Sequence, residues 1–148
     1  MPSEFVKEVA DVFAKDGPLS KVTANYTPRP SQIEFATSVA EALEKGKTLV
    51  AEAGTGTGKT FAYLVPALLK DQKVLISTAG KTLQDQLFTK DIPALLKALG
   101  MGCRVALLKG RSNYICKQRL EHALQEDSYV AKSREEVVHL HRIKKFAG

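Results

Sequence analysis

The sequence predicts an α/β fold of the doubly wound class, a parallel sheet with helices on its faces. Three observations predict it. Short apolar runs, "TLVAEA" (48–53), "KVLISTA" (73–79) and "CRVALLK" (103–109), alternate with longer stretches of helical periodicity. That β-α-β-α-β order implies parallel strands joined by right-handed crossovers. A glycine-rich turn, "AEAGTGTGKT" (51–60), follows the first run and opens the next helix. A chain of 148 residues with 44% hydrophobic and 26% charged residues has the composition of an ordinary globular domain, which excludes a disordered or fibrous chain.

At the amino terminus Phe5, Val9, Val12 and Phe13 recur at helical spacing after Ser3, a candidate N-cap, and the pattern stops at Gly17 and Pro18. Residues 1–17 therefore read as a separate amphipathic helix. "SKVTANYTPRPSQ" is polar and interrupted by Pro28 and Pro30, so it reads as a connector. Pro30 suits the first turn of a second helix that runs to Lys45, with Ile33, Ala36, Val39, Ala40 and Leu43 inward and Gly46 as its stop. Pro66 inside the helix that follows the glycine turn predicts a kink, and Pro93 should divide 81–99 into two helical pieces. After Lys109 the strand rhythm is lost. Residues 115–146 read as one or two charged helices whose sustained apolar positions are Val130, Val137, Val138, Leu140 and Ile143. Three strands are few for this class, where about five or six are usual, so the chain reads as the front of something longer.

Charge and cysteine usage bound the partners. The net charge is +6. From Lys109 onward there are 9 basic and 5 acidic residues, a balance that suits a polyanion and is also common on solvated surfaces. Two cysteines, Cys103 and Cys116, do not make a secreted disulfide framework. The first residues mix Glu4, Glu8 and Asp11 among apolar ones, unlike a signal peptide, and no run approaches the ~18 apolar residues that span a bilayer. A cytoplasmic protein that does not enter membranes is the expectation.

The glycine turn fits the phosphate-binding P-loop pattern with Ala53 at the first position and Gly58, Lys59 and Thr60 at the last three. Gly54, Gly56 and Gly58 allow left-handed backbone, so that successive amides can point into one concavity around phosphate oxygens. Lys59 can reach the β- and γ-phosphates, and the Thr60 hydroxyl can ligate Mg²⁺. Ala53, Gly54, Thr55, Gly56, Thr57, Gly58, Lys59 and Thr60 are thus the expected nucleotide-binding set, with Lys59 and Thr60 as its catalytic members. His122, His139 and His141 show no metal spacing with the cysteines, and no serine lies in a nucleophile-elbow context.

"EAGTGTGKT", preceded by "PRPSQ" and followed by "STAGKTLQDQL" and "LLKGRSNYIC", resembles the front of the DinG/XPD-type superfamily 2 DNA helicases, the iron–sulfur helicases, and most of all their YoaA branch. The likeness runs from about Pro18 to about Leu124, with the motifs in family order. It implies a P-loop NTPase of the RecA-like type: residues 18–108 as the first part of motor domain 1, and 109–148 as the start of a truncated iron–sulfur domain with a helical carboxyl-terminal segment. Arg29 and Gln32 match the motif whose glutamine amide recognises adenine. An amide both donates and accepts, as that base edge requires.

Ser77, Thr78, Lys81, Thr82 and Gln86 match the segment that meets the phosphate backbone of single-stranded DNA. Read from the residues alone, Ser77 or Thr78 is an N-cap and Leu83 and Leu87 are core, and both readings can hold together. Cys116 matches the first of four ligands of a [4Fe–4S] cluster. Such a cluster needs four thiolates or their equivalent, which this chain cannot supply. Cys103, at the start of an expected core strand, reads as a small buried hydrophobe, and Cys116 as a free thiol. A DE[AH]x carboxylate pair is missing, and Glu52, Asp71, Asp85 and Asp91 do not replace it.

The resemblance implies an ATP- and Mg²⁺-dependent helicase moving 5′→3′ on single-stranded DNA in repair or replication, where a protein partner can recruit it. With the carboxylates and motor domain 2 missing, this chain is expected to bind nucleotide far better than it hydrolyses it. The alternative is a module that holds nucleotide or single-stranded DNA without turnover. A small P-loop kinase fits the length, but there is no arginine-rich lid after the third run.

Overall fold

The computed structural model describes residues 1–125 and 133–147 and divides the chain into two compact units, residues 1–106 and 107–148. Unit 1 opens with α1 (Glu4–Val12), whose N-cap is Ser3: its hydroxyl accepts from the Val6 amide at 3.2 Å. Satisfying that otherwise orphan amide is what starts the helix here. The same hydroxyl donates to Glu44 at 2.6 Å. Val6, Val9 and Val12 form the buried stripe of α1. A short 3₁₀ turn (Pro18–Lys21) then places Leu19 wholly inside. Tyr26 anchors the polar connector by donating to the Phe13 carbonyl at 2.9 Å, and its partial burial pushes the phenol above its ordinary pKa.

Helix α2 (Pro30–Lys45) begins at the proline and ends at Gly46, whose φ of +59° is the left-handed C-cap that glycine tolerates. Its buried residues are Gln32, Ala36 and Ala40. Leu43, expected inward, remains 37% exposed in the last turn. Helix α3 (Lys59–Leu69) runs unbroken through Pro66, with Ala62, Leu64, Val65 and Pro66 buried. It packs on α2, where Ala36, Ala40 and Ala62 leave no side chain to hold the helices apart, and also touches α1.

The 81–99 segment divides as Pro93 predicts: α4 (Lys81–Gln86), a π turn (Leu87–Asp91) and α5 (Ile92–Leu99), closed by Gly100 at φ +65°. Pro93 has no amide to donate backwards, so the α-helical ladder cannot cross this point. Leu87, Ile92 and Leu95 join the core from these pieces, whereas Leu83, expected in the core, is 40% exposed. One core therefore lies among α1, α2, α3, α5 and the Leu19 turn.

The expected parallel sheet is not formed. Among the described residues no strand is present, and 47–54, 73–78 and 101–110 belong to neither helix nor strand. A parallel sheet has helices covering both faces and each strand paired with at least one neighbour. Here Val50 is 93% and Leu75 94% exposed, so neither run has the apolar cover that would hold a strand in place. For the same reason Cys103 is exposed and not the buried hydrophobe expected of it.

In unit 2 a 3₁₀ turn (Arg111–Asn113) precedes α6 (Lys117–Gln125) and α7 (Arg134–Ala147), which pack on each other. Val137 and Leu140 are half-buried, and Val138 and Ile143 are exposed; Val130 lies outside the described residues. No described helix is long and apolar enough to cross a membrane.

Candidate nucleotide-binding site

The turn that leads into α3 has the backbone a phosphate cradle needs at two of its three glycines. Gly56 and Gly58 have φ of +76° and +79°, the left-handed region, and Gly58 is the N-cap of α3. Gly54, expected to share that conformation, is not among the positive-φ glycines, so two left-handed residues make the bend. Gly58 has no side chain to cap the helix, so the first amides of α3 are left for a ligand, and the helix dipole favours an anion there.

Lys59, first residue of α3, curls back over the turn. Its Nζ donates to the carbonyls of Ala53 and Gly54 at 2.5 and 2.6 Å. Thr57 Oγ1 donates to the Gly54 carbonyl at 2.9 Å, which closes the bend on itself. Thr55 is exposed, and Thr60, on the first turn of α3, is half-buried. An ammonium lodged on two neutral carbonyls can exchange them for phosphate oxygens, and charge-assisted bonds are roughly twice as strong as neutral ones. The two left-handed glycines, the uncapped helix start, Lys59 and the Thr60 hydroxyl together fit a nucleotide triphosphate with Mg²⁺.

Two residues from the start of α2 brace the turn. Gln32, 7% exposed, donates from Nε2 to the Gly58 carbonyl at 2.9 Å, and the exposed Arg29 donates to the Gly56 carbonyl. The family resemblance placed both in a nucleotide-binding motif, with the Gln32 amide on the adenine base. That they hold the turn's own carbonyls is visible only once α2 and the turn are packed together.

The other expected contacts are dispersed. Ser77, Lys81, Thr82 and Gln86 are exposed and Thr78 is half-buried, along the approach to α4 and on its surface. Neither Ser77 nor Thr78 caps α4, whose N-cap is Gly80 with no side-chain bond; Thr78 Oγ1 donates instead to the Gly80 carbonyl at 3.1 Å. Cys116 and Cys103 are both free and exposed. Among the described residues no three metal-ligating side chains come together. Four thiolates are required for a [4Fe–4S] cluster, so the residues of this chain do not fit one.

Comparison with known proteins shows the family. Residues 33–142 match the DEAD/DEAH box helicase family. The chain is 56% identical over 113 residues to the ATP-dependent DNA helicase YoaA of Escherichia coli, covering 76% of this chain and 18% of that protein. It is 47% identical over 123 residues to YoaA of Haemophilus influenzae, covering 83% and 19% respectively. With the ATP-dependent helicase DinG of Mycobacterium tuberculosis the identity is 45% over 106 residues, covering 66% of this chain and 16% of that one. The chain thus spans less than a fifth of the length of these relatives. With three quarters of its length matched, the chain belongs to the DEAD/DEAH box helicase family, whose motor has a RecA-like P-loop fold, and is similar to its YoaA and DinG helicases.

Proposed function

We propose that this chain is the ATP- and single-stranded-DNA-binding front of a DNA helicase motor that moves 5′→3′ in the cytoplasm and serves DNA repair or replication. The observation that carries the reading is the Ala53–Thr60 turn, with Gly56 and Gly58 left-handed and Lys59 folded over it at the uncapped start of α3. Nucleotide phosphates replace the Ala53 and Gly54 carbonyls as partners of Lys59 Nζ, and Thr60 Oγ1 ligates Mg²⁺, which neutralises the phosphate charge when bound. Arg29 and Gln32 keep the turn shaped from behind and lie on the side where the base is read. In the complete motor the runs at 48–53, 73–79 and 103–109 pair as parallel strands, residues 1–17, with α1, precede the motor's motifs in the chain and pack on it, and 109–148 lead into a further domain.

The exposed Ser77, Lys81, Thr82 and Gln86, with Thr78, form the DNA-contacting segment: hydroxyl, ammonium and amide donors suited to phosphate oxygens without regard to sequence. Without a carboxylate pair to orient water, the chain alone is a binding module that scarcely turns nucleotide over. Fluorescence anisotropy of a labelled oligothymidylate tests the DNA half. Lys81→Ala and Thr82→Ala together should weaken binding severalfold and flatten its salt dependence. Affinity and salt dependence equal to those of the unaltered chain would remove this segment from the reading.

A further inference from the structure

Between Asp91 and Glu121 the chain carries six basic residues and no acidic one, its longest stretch without a carboxylate. A basic run is ordinarily a solvated surface. This one surrounds a turn that holds an aromatic ring in water. Residues 109–114 close on themselves through four hydrogen bonds. The Asn113 amide and Asn113 Nδ2 donate to the Gly110 carbonyl at 2.9 and 3.0 Å, and the Tyr114 amide donates to the Arg111 carbonyl at 3.2 Å. The Lys109 amide donates to the Tyr114 hydroxyl at 2.8 Å.

The last of these bonds reverses the usual arrangement of a tyrosine, which buries its ring and leaves its hydroxyl wet. Tyr114 has its hydroxyl tied to the backbone and is 53% exposed. With the side chain held at both ends, in the turn and at the Lys109 amide, the ring loses little freedom on meeting a partner. Arg111, within the turn, and Lys117 and Arg119, on α6, are exposed and follow closely in sequence. A fixed π-face among cations, with no carboxylate to repel phosphate, is the chemistry that recognises an unpaired base on its sugar–phosphate strand. A duplex keeps its base faces inside the stack and offers such a ring nothing.

We propose that the turn at 109–114 is a second contact for single-stranded DNA, in a different compact unit from the segment at 77–86, with Tyr114 stacked on a base and Arg111 on a phosphate. The inference rests on the single-stranded-DNA binding proposed above.

The test compares two labelled strands of equal length in anisotropy titrations of the whole chain: an oligothymidylate, and an abasic deoxyribose-phosphate oligomer that offers the charges without the bases. The unaltered chain should prefer the thymidylate. Tyr114→Ala should cut that preference at least about fivefold, the scale of one stacked base, and leave affinity for the abasic strand unchanged. Tyr114→Phe keeps the ring and loses its anchor, so it should retain part of the preference. Arg111→Ala should weaken both strands alike and lower the salt slope by about one. A merely structural role for Tyr114 would weaken both strands together in Tyr114→Ala. That result overturns the proposal, as does a preference unchanged in Tyr114→Ala, one equally lost in Tyr114→Phe, or equal binding of the two strands by the unaltered chain. Where Lys81→Ala with Thr82→Ala weakens thymidylate binding and Tyr114→Ala does not, only the second contact falls. No binding of either strand by the unaltered chain overturns the proposed DNA binding itself.

Discussion

Gly58 is the position where conformation, packing and the proposed nucleotide binding meet. Its φ of +79° costs an L-residue roughly 1–2 kcal/mol, and a Cβ there would stand 2.1 Å from Gln32 Nε2 and 2.8 Å from Cδ. Gly58→Ala should therefore lower nucleotide affinity at least tenfold. Adding Gln32→Ala removes the collision but not the φ cost, so the double variant should recover only part of the loss. Titration with a fluorescent nucleotide checks both, and a Gly58→Ala chain that binds like the unaltered one would contradict the role given to Gln32. Left-handed Gly56 and Gly58 were legible in eight consecutive residues because the bend is local, whereas Gly54, read the same way, is not left-handed. The partners of Gln32 and Arg29 were not, because they come from turn carbonyls 26 and 27 residues along the chain.

Helices were legible element by element, since their signals are local: the Ser3 cap, Pro30 and Gly46 at the ends of α2, and Pro93 at the break before α5. The π turn was not, because nothing in "LFTKD" distinguishes bonds that span five residues from bonds that span four; Pro93 marks only where an α-helical ladder must stop. The apolar runs were read as strands from hydrophobicity alone, but a strand is defined by its neighbours, and Val50 and Leu75 have none covering them. Close backbone approach is equally hard to see in sequence. Gly17 has an ordinary φ of −73°, yet a Cβ there would stand 2.3 Å from the Asp11 carbonyl oxygen and 2.7 Å from that of Val12, atoms that cannot swing aside. Gly17→Ala should push the turn carrying Leu19 off the core and cost about 1–3 kcal/mol. Thermal melting should show a drop of several degrees, with Gly102→Ala, where a Cβ meets nothing within 4 Å, unchanged. Equal melting of the two variants would show that the turn yields.

At the scale of the whole molecule, unit 1 is a helical core carrying the glycine-rich turn, with Val50 and Leu75 of the 48–53 and 73–79 runs in water and Ile76 packed against the core. The chain spans less than a fifth of its relatives' length, and in the function proposed for it the Ala53–Thr60 turn holds nucleotide while its sequence has no DE[AH]x pair to position water. Binding without turnover is the central expectation. The most direct measurement is calorimetric titration of ATP–Mg²⁺ into this chain and into Lys59→Ala, with phosphate release followed on the same samples with and without single-stranded DNA. Loss of the Lys59 ammonium should weaken binding about tenfold to a hundredfold, the scale of one hydrogen bond to a charged group, with no DNA-stimulated phosphate release from either chain. Binding that ignores Lys59→Ala, or phosphate release that rises with DNA, would contradict it.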